Sequence, residues 1–169
     1  SLGQRWEEFG IITPFLDIAQ THTYFSLDEA RKVVSKVGQK IIEKGLPADL
    51  KPVVIGFTGY GNVSQGAQEI ASLLPVKEIL PDELINLHKH AHLPDNIIYK
   101  VVFKEEHLVT PINPDSQFDL GDYYQHPEKY VSQFEKYLPY LTVLVNCIYW
   151  DPRYPRLLTK DYTEQLFKE

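Results

Sequence analysis

The sequence predicts an α/β fold, a parallel sheet with helices on both faces, and three observations carry that prediction. Strand-length apolar runs at 53–57 and 141–146 show no alternation, as in strands buried on both faces of a parallel sheet. Between such runs lie stretches with apolar residues at helical spacing. Strand and helix signals alternate along the chain, a pattern that right-handed crossovers turn into a parallel sheet. The 169 residues fit one domain, with 43% hydrophobic and 24% charged residues, enough for a core without metals or disulfides.

The elements follow in order. Residues 9–15 are apolar with Thr13-Pro14 inside, and read as a docking segment rather than a long helix. Ser26, Leu27, Asp28 and Glu29 form a capping box, in which Ser26 accepts from the Glu29 amide and the glutamate reaches back. Leu27, Ala30, Val33, Val34, Val37 and Ile41 follow at helical spacing, and Gly45 supplies a left-handed stop. Pro52 opens the next unit, with a strand at 53–57, a glycine-rich turn and a helix at 63–74. A short strand is expected at 76–80, a turn or helix from Pro81, and a strand at 97–103. Residues 127–138 suit a helix with Pro127 in its first turn, and 141–146 is the last buried strand. This divides the chain into a hinge or docking segment, 1–25, belonging to a preceding domain, and a nucleotide-binding domain, 26–169. The lack of methionine and the Ser1-Leu2 start fit a piece of a longer polypeptide.

Composition excludes several classes. The formal net charge is −6 with no basic cluster, which argues against a nucleic-acid partner. No apolar run approaches the roughly 20 residues that cross a bilayer, and no secretory signal opens the chain. Cys147 is the only cysteine, so no internal disulfide framework exists and a soluble, intracellular setting is expected.

The sharpest motif is Gly59, Tyr60, Gly61, Asn62, Val63, Ser64, Gln65 and Gly66, between a buried strand and a helix. That context gives a dinucleotide-binding turn its meaning. Gly59 would permit the tight turn, and Gly61 would let the backbone approach a pyrophosphate. Amides opening the helix at Val63 would face the negative charge. Ser64 stands where glycine or alanine is usual; it is small enough for close helix–strand packing and could donate to phosphate. A P-loop is rejected, because Ala67 and Gln68 occupy the places of its lysine and hydroxyl residue. A tight turn with no ligand is the plain alternative. The arrangement is Rossmann-like.

In such folds an acid about 20 residues beyond the turn holds the ribose hydroxyl. Glu78, Asp82 and Glu83 lie in that zone, with Asp82 taken as the candidate contact. Lys77 could equally serve a phosphate, so NAD and NADP both stay open.

The segment from Gly59 to Gln68 resembles the turn of the lysine–2-oxoglutarate reductase part of aminoadipic semialdehyde synthase. Further similar stretches are Thr13-Pro14-Phe15, Leu73-Leu74-Pro75, His107-Leu108-Val109 and His126-Pro127-Glu128-Lys129-Tyr130. Asn146-Cys147-Ile148-Tyr149-Trp150 and Pro155-Arg156-Leu157-Leu158-Thr159 continue the series in the same order. A more distant similarity is to alanine dehydrogenase and transhydrogenase nucleotide domains. The resemblance implies an NAD(P)-dependent oxidoreductase acting on CH–NH bonds, which condenses the lysine ε-amine with 2-oxoglutarate and reduces the imine to saccharopine. It also implies that lysine-binding and acid–base groups come from a preceding substrate-binding domain, so no catalytic residue is assigned and this piece alone is expected to be inactive. Asn146 and Tyr149, after the last strand, are candidates to approach the nicotinamide; packing is the alternative for Tyr149 and Trp150. An animal homologue would be expected in mitochondria.

Other features read as structural, and no metal site is assigned. His88, His90 and His92 alternate in what looks like a solvated loop, and His22 suits capping or packing. Cys147 reads as an inert buried thiol, and Asp115, Asp119 and Asp122 as solvated acids without a calcium-loop pattern. Two further functions remain in play: a non-catalytic Rossmann-like regulatory or interaction module, and an alanine-dehydrogenase-like oxidoreductase acting on another amino acid.

Overall fold

The computed structural model describes residues 1–87, 89, 92–149 and 151–166, with only the backbone of residue 166. His88, His90 and Trp150 lie outside the described residues. At its centre is a four-stranded, wholly parallel sheet made of β1 (Val54–Thr58), β2 (Val76–Glu78), β3 (Ile98–Phe103) and β6 (Val143–Asn146). The order across the sheet is β2-β3-β1-β6. Register runs Thr58 against Phe103 on one side of β1 and Thr58 against Asn146 on the other. The expected α/β class is the observed one.

Alternation along the strands divides the core between the two faces. Ile98 and Val53 face α2 (Leu27–Lys44), where Val34, Val37 and Ile41 complete a cluster with Leu74. Helix α2 forms as its sequence indicates. Ser26 Oγ accepts from the Glu29 amide at 3.1 Å, the Glu29 carboxylate accepts from the Phe25 amide at 2.9 Å, and Gly45 closes the helix at φ +72°. Its mid-helix Gly38 lies against the chain turn after α3 (Asn62–Ala71), where a Cβ would come within 2.4 Å of the Leu73 carbonyl oxygen. Absence of a side chain there sets how closely α2 approaches.

Tyr99, Val101 and Phe103 point to the other face, into a cluster with Leu84 and Leu87 of α4 (Pro81–Leu87) and several aromatics. Phe103 meets Phe134 edge-on, with ring centroids 5.0 Å apart. The strand ends lead into α5 (Glu105–Leu108) and a small antiparallel pair, β4 (Val109–Pro111) with β5 (Tyr130–Ser132). Between those strands lies α6 (Leu120–Gln125). The last helix among the described residues is α7 (Lys160–Leu166).

The helix expected at 127–138 is not formed. Pro127–Lys129 is a 3-10 turn, Tyr130–Ser132 is β5, and Phe134–Tyr140 is a second 3-10 segment. Tyr130, Phe134 and Tyr137 are buried, and their spacing imitates one face of an α-helix. Pairing of Tyr130 with Pro111 and packing of both later rings around Phe103 decide the backbone instead. The strand expected at 76–80 ends at Glu78, and the helix expected at 63–74 covers Asn62–Ala71.

The first 25 residues hold α1 (Leu2–Glu8), which the sequence reading did not anticipate, and 3-10 turns at Pro14–Asp17 and Thr21–Thr23. Phe15 is buried in the α2 face of the core with Trp6 against it, ring centroids 5.4 Å apart, and Asp17 pairs with Lys40 of α2. His22 is exposed in the second turn. Asp119 caps α6 by accepting from the Asp122 amide at 2.6 Å, and Asp122 pairs with Lys129 at 2.7 Å, so two of the acids expected to be merely solvated have structural partners. Among the described residues, no helix is long and apolar enough to cross a membrane.

Candidate functional site

The carboxyl ends of the four parallel strands converge on one edge of the molecule, the place where open α/β sheets hold ligands. The glycine turn sits there, between β1 and α3. Gly59 has φ +82°, a left-handed conformation that side chains resist, and a Cβ on it would lie 2.9 Å from Ile148 Cγ2. Its amide donates to the Phe103 carbonyl at 2.9 Å, which ties the turn to the end of β3. Gly59 therefore answers to the protein's own geometry.

Gly61 does not. Its φ is −75°, open to any residue, and a Cβ there would meet nothing within 4 Å among the described residues. It forms the N-cap of α3 without a side chain to cap it. Amides of the first helical turn, those of Asn62 and Val63 among them, thus keep their hydrogen-bonding capacity at the positive end of the helix dipole. Bare backbone, open space and outward-facing amides fit a phosphate group. Asn62 is exposed, Val63 is 71% exposed and Tyr60 is 46% exposed.

Ser64 is different. It is fully buried, and its Oγ accepts from Gln68 Nε2 at 2.9 Å. Gln68 Oε1 accepts in turn from Lys100 Nζ at 3.0 Å, and Lys100 pairs with Glu78 at 2.6 Å. The small side chain lets α3 lie close to the sheet, and the chain of polar contacts locks α3 to β3 and β2. Its hydroxyl faces this network rather than the open side of the turn.

Of the three acids beyond the turn, Glu78 is held by Lys100, and Glu83 accepts from the Leu80 amide at 2.7 Å. Asp82, exposed at the start of α4, has no hydrogen bond to its carboxylate among the described residues. Because β3 lies between β2 and β1, Glu78 is about two strand spacings, ~10 Å, from the turn strand, where the usual order would leave one, whereas Asp82 and Glu83 sit on α4, which packs against β3.

Asn146 ends β6 on the other side of the turn. Its Oδ1 accepts from Thr58 Oγ1 at 2.8 Å and from the Ile148 amide at 3.3 Å, which aims the side-chain NH2 outward. Asn146 and Tyr149 line a cavity of about 560 Å³ beside the turn, together with Glu105, Tyr124, Tyr154 and Arg156. Tyr149 is 92% exposed. Cys147, half-buried, lies between them and donates weakly to the Val145 carbonyl at 3.6 Å.

The rest of this lining was not singled out from sequence. Tyr124 donates to Glu105 at 2.6 Å, and that bond with a carboxylate, followed by burial, holds its phenol well above the usual range. Burial, with Tyr154 and Glu105 nearby, pushes Tyr123 up to about 12. Both phenols thus stay protonated as donors. Asp151 stays ionised, its carboxyl lowered by bonds from Arg153. The adjacent pair Tyr123-Tyr124 was the one local signal, but nothing in sequence places it opposite residues 146–157.

No protein-family model matches the chain. An alpha-aminoadipic semialdehyde synthase of Arabidopsis thaliana is 41% identical over 178 residues, covering 99% of this chain and 17% of that protein. Mitochondrial alpha-aminoadipic semialdehyde synthases of Rattus norvegicus and Bos taurus are 35% and 36% identical over 166 residues, covering 98% of this chain and 18% of theirs. The chain therefore spans less than a fifth of the length of these relatives. Similarity at this level over nearly every residue, with the glycine turn inside it, makes the chain a homologue of one segment of alpha-aminoadipic semialdehyde synthase.

Proposed function

We propose that the chain is the nicotinamide-dinucleotide-binding part of a lysine–2-oxoglutarate reductase, an NAD(P)-dependent oxidoreductase of lysine degradation. Gly61 carries the reading. An uncapped helix start with bare backbone over space open among the described residues suits a pyrophosphate. Gly59, Tyr60, Gly61, Asn62 and Val63 would present the turn to the diphosphate, with Ser64 packing beneath it. Asn146 would offer its NH2 to the nicotinamide end, with Tyr149 beside it, and Asp82 is the acid free to meet a ribose. When bound, such a cofactor supplies the hydride that reduces an imine. The cavity's apolar and phenolic walls would exclude water there. No residue of this chain is assigned acid–base work, and the lysine-binding groups are assigned to a preceding substrate-binding domain. That the animal relatives are named mitochondrial supports a mitochondrial place for a chain of animal origin.

Calorimetric titration of the chain with NADH and NADPH tests this. Saturable binding, lost in Gly61→Asp with the fold intact by circular dichroism, is the expected result. Binding unaffected by that substitution would move the nucleotide elsewhere, and no binding to the chain or to its full-length parent would remove the proposal.

A further inference from the structure

We infer that one wall of the cavity beside the glycine turn is gated by pH: protonation of His107 uncaps α5, and the uncapped turn releases the Glu105–Tyr124 bond that holds Tyr124 in that wall. The gate is built from the cavity's own side chains and acts whatever ligand the cavity takes. Helix α5 is four residues long, a single turn, and so has few bonds to lose. The Lys104 amide donates to His107 Nδ1 at 3.0 Å, and the His107 amide donates back to the Lys104 carbonyl at 2.9 Å. The first of these bonds needs a bare ring nitrogen. An imidazolium carries hydrogen on both nitrogens, so Nδ1 would meet the Lys104 N–H donor against donor. Ring or amide must then move.

Glu105 follows the capped amide directly, and its carboxylate accepts from Tyr124 at 2.6 Å. Both side chains line the cavity. Helix α6, which carries Tyr124, is anchored without that bond: Asp119 caps it and Tyr123 is buried in the core. Release therefore frees the Tyr124 side chain and leaves its helix in place.

The groups facing His107 set which form prevails. Burial comes first and favours the neutral ring, which also has the Phe103 ring edge-on with centroids 6.4 Å apart. Glu106, whose carboxylate lies 3.9 Å from Nε2, and Asp82 on α4 favour the charged ring, while Lys104 and Lys136 oppose it. The balance lowers the pKa, so the ring is neutral and the cap closed at neutral pH, and the gate opens only on acidification.

The test is NMR of the intact chain, with labelled tyrosine Cζ, histidine rings and backbone amides, titrated from pH 7.5 down to 5. In wild type the Tyr124 Cζ signal and the Lys104 amide should shift together with the His107 ring, at one midpoint. His107→Asn keeps an acceptor that does not titrate, and should hold both signals fixed across the range. Glu105→Gln keeps an acceptor for Tyr124 without a carboxylate to protonate, and there the Tyr124 signal should still follow His107. A Tyr124 signal that stays still while His107 titrates, or that moves at another midpoint, overturns the inference. So does an equal shift in His107→Asn, and so does a shift lost only in Glu105→Gln, which would make the carboxylate the sensor. The wild-type midpoints decide the matter even if a variant fails to fold.

Discussion

The Thr58 hydroxyl donates to Asn146 Oδ1 at 2.8 Å, joining the last residues of two adjacent parallel strands by their side chains. Thr58 is fully buried, and its Oγ also accepts from the Cys147 amide at 3.3 Å. One hydroxyl therefore sets both the rotamer of Asn146 and the path of the chain leaving β6, the two things that shape the rim facing the glycine turn.

Thr58→Val keeps the shape and removes that hydroxyl. The Cys147 amide keeps the Thr58 carbonyl at 3.2 Å and Asn146 Oδ1 keeps the Ile148 amide, so losing the hydroxyl should cost about 0.5–1.5 kcal/mol in urea unfolding. Asn146 is then held by the Ile148 amide alone, and dinucleotide affinity should fall. Unchanged stability would mean that water takes over both bonds.

The two glycines of the turn should separate stability from binding. Gly59→Ala places a side chain at φ +82° and against Ile148, and should destabilise by on the order of 1–3 kcal/mol. Gly61→Ala meets neither obstacle and should leave the thermal midpoint unchanged or slightly raised, while weakening nucleotide binding. Equal destabilisation by both would show that Gly61 also serves the fold.

His107 gives a pH signature. Burial lowers its pKa, against smaller opposing effects of Glu106 and Asp82, and its Nδ1 accepts from the Lys104 amide at 3.0 Å. The folded state therefore resists protonation more than the unfolded chain does. Stability is independent of this group above the unfolded value near 6.5, and falls as pH drops below it, until the lowered folded value is passed. His107→Asn keeps an acceptor without the titration. Urea denaturation at pH 7.5 and 5.5 should show a smaller acid loss in the variant than in wild type; an equal loss would assign it to other groups.

Phe134 is fully buried edge-on to Phe103 and close to Tyr137. Phe134→Ala should cost about 3–5 kcal/mol, the usual penalty for an aromatic cavity. Lower losses in chemical denaturation would mean that the 3-10 segment Phe134–Tyr140 collapses into the space.

The amino-acid sequence alone determined the elements whose signals are local. Ser26 and Glu29 fix the start of α2 and Gly45 its end, because capping needs only neighbours within a turn of chain. The apolar run at β1 and the glycines after it determined the strand–turn–helix unit, since glycine permits the left-handed turn that Gly59 makes at the end of the strand. Only the tertiary structure decided which strand stands beside β1. Parallel pairing joins residues as distant as Thr58 and Asn146, and side-chain patterns state that a strand is buried without naming its neighbour. The same reason hid the β4–β5 pair and let Tyr130, Phe134 and Tyr137 pass for a helix face, because the partners that settle their backbone, Pro111 and Phe103, lie far back along the chain. It also hid the cavity wall of Tyr124, Tyr154 and Glu105: closeness of that kind comes from the sheet order, which is an energy of the whole core and not of any segment.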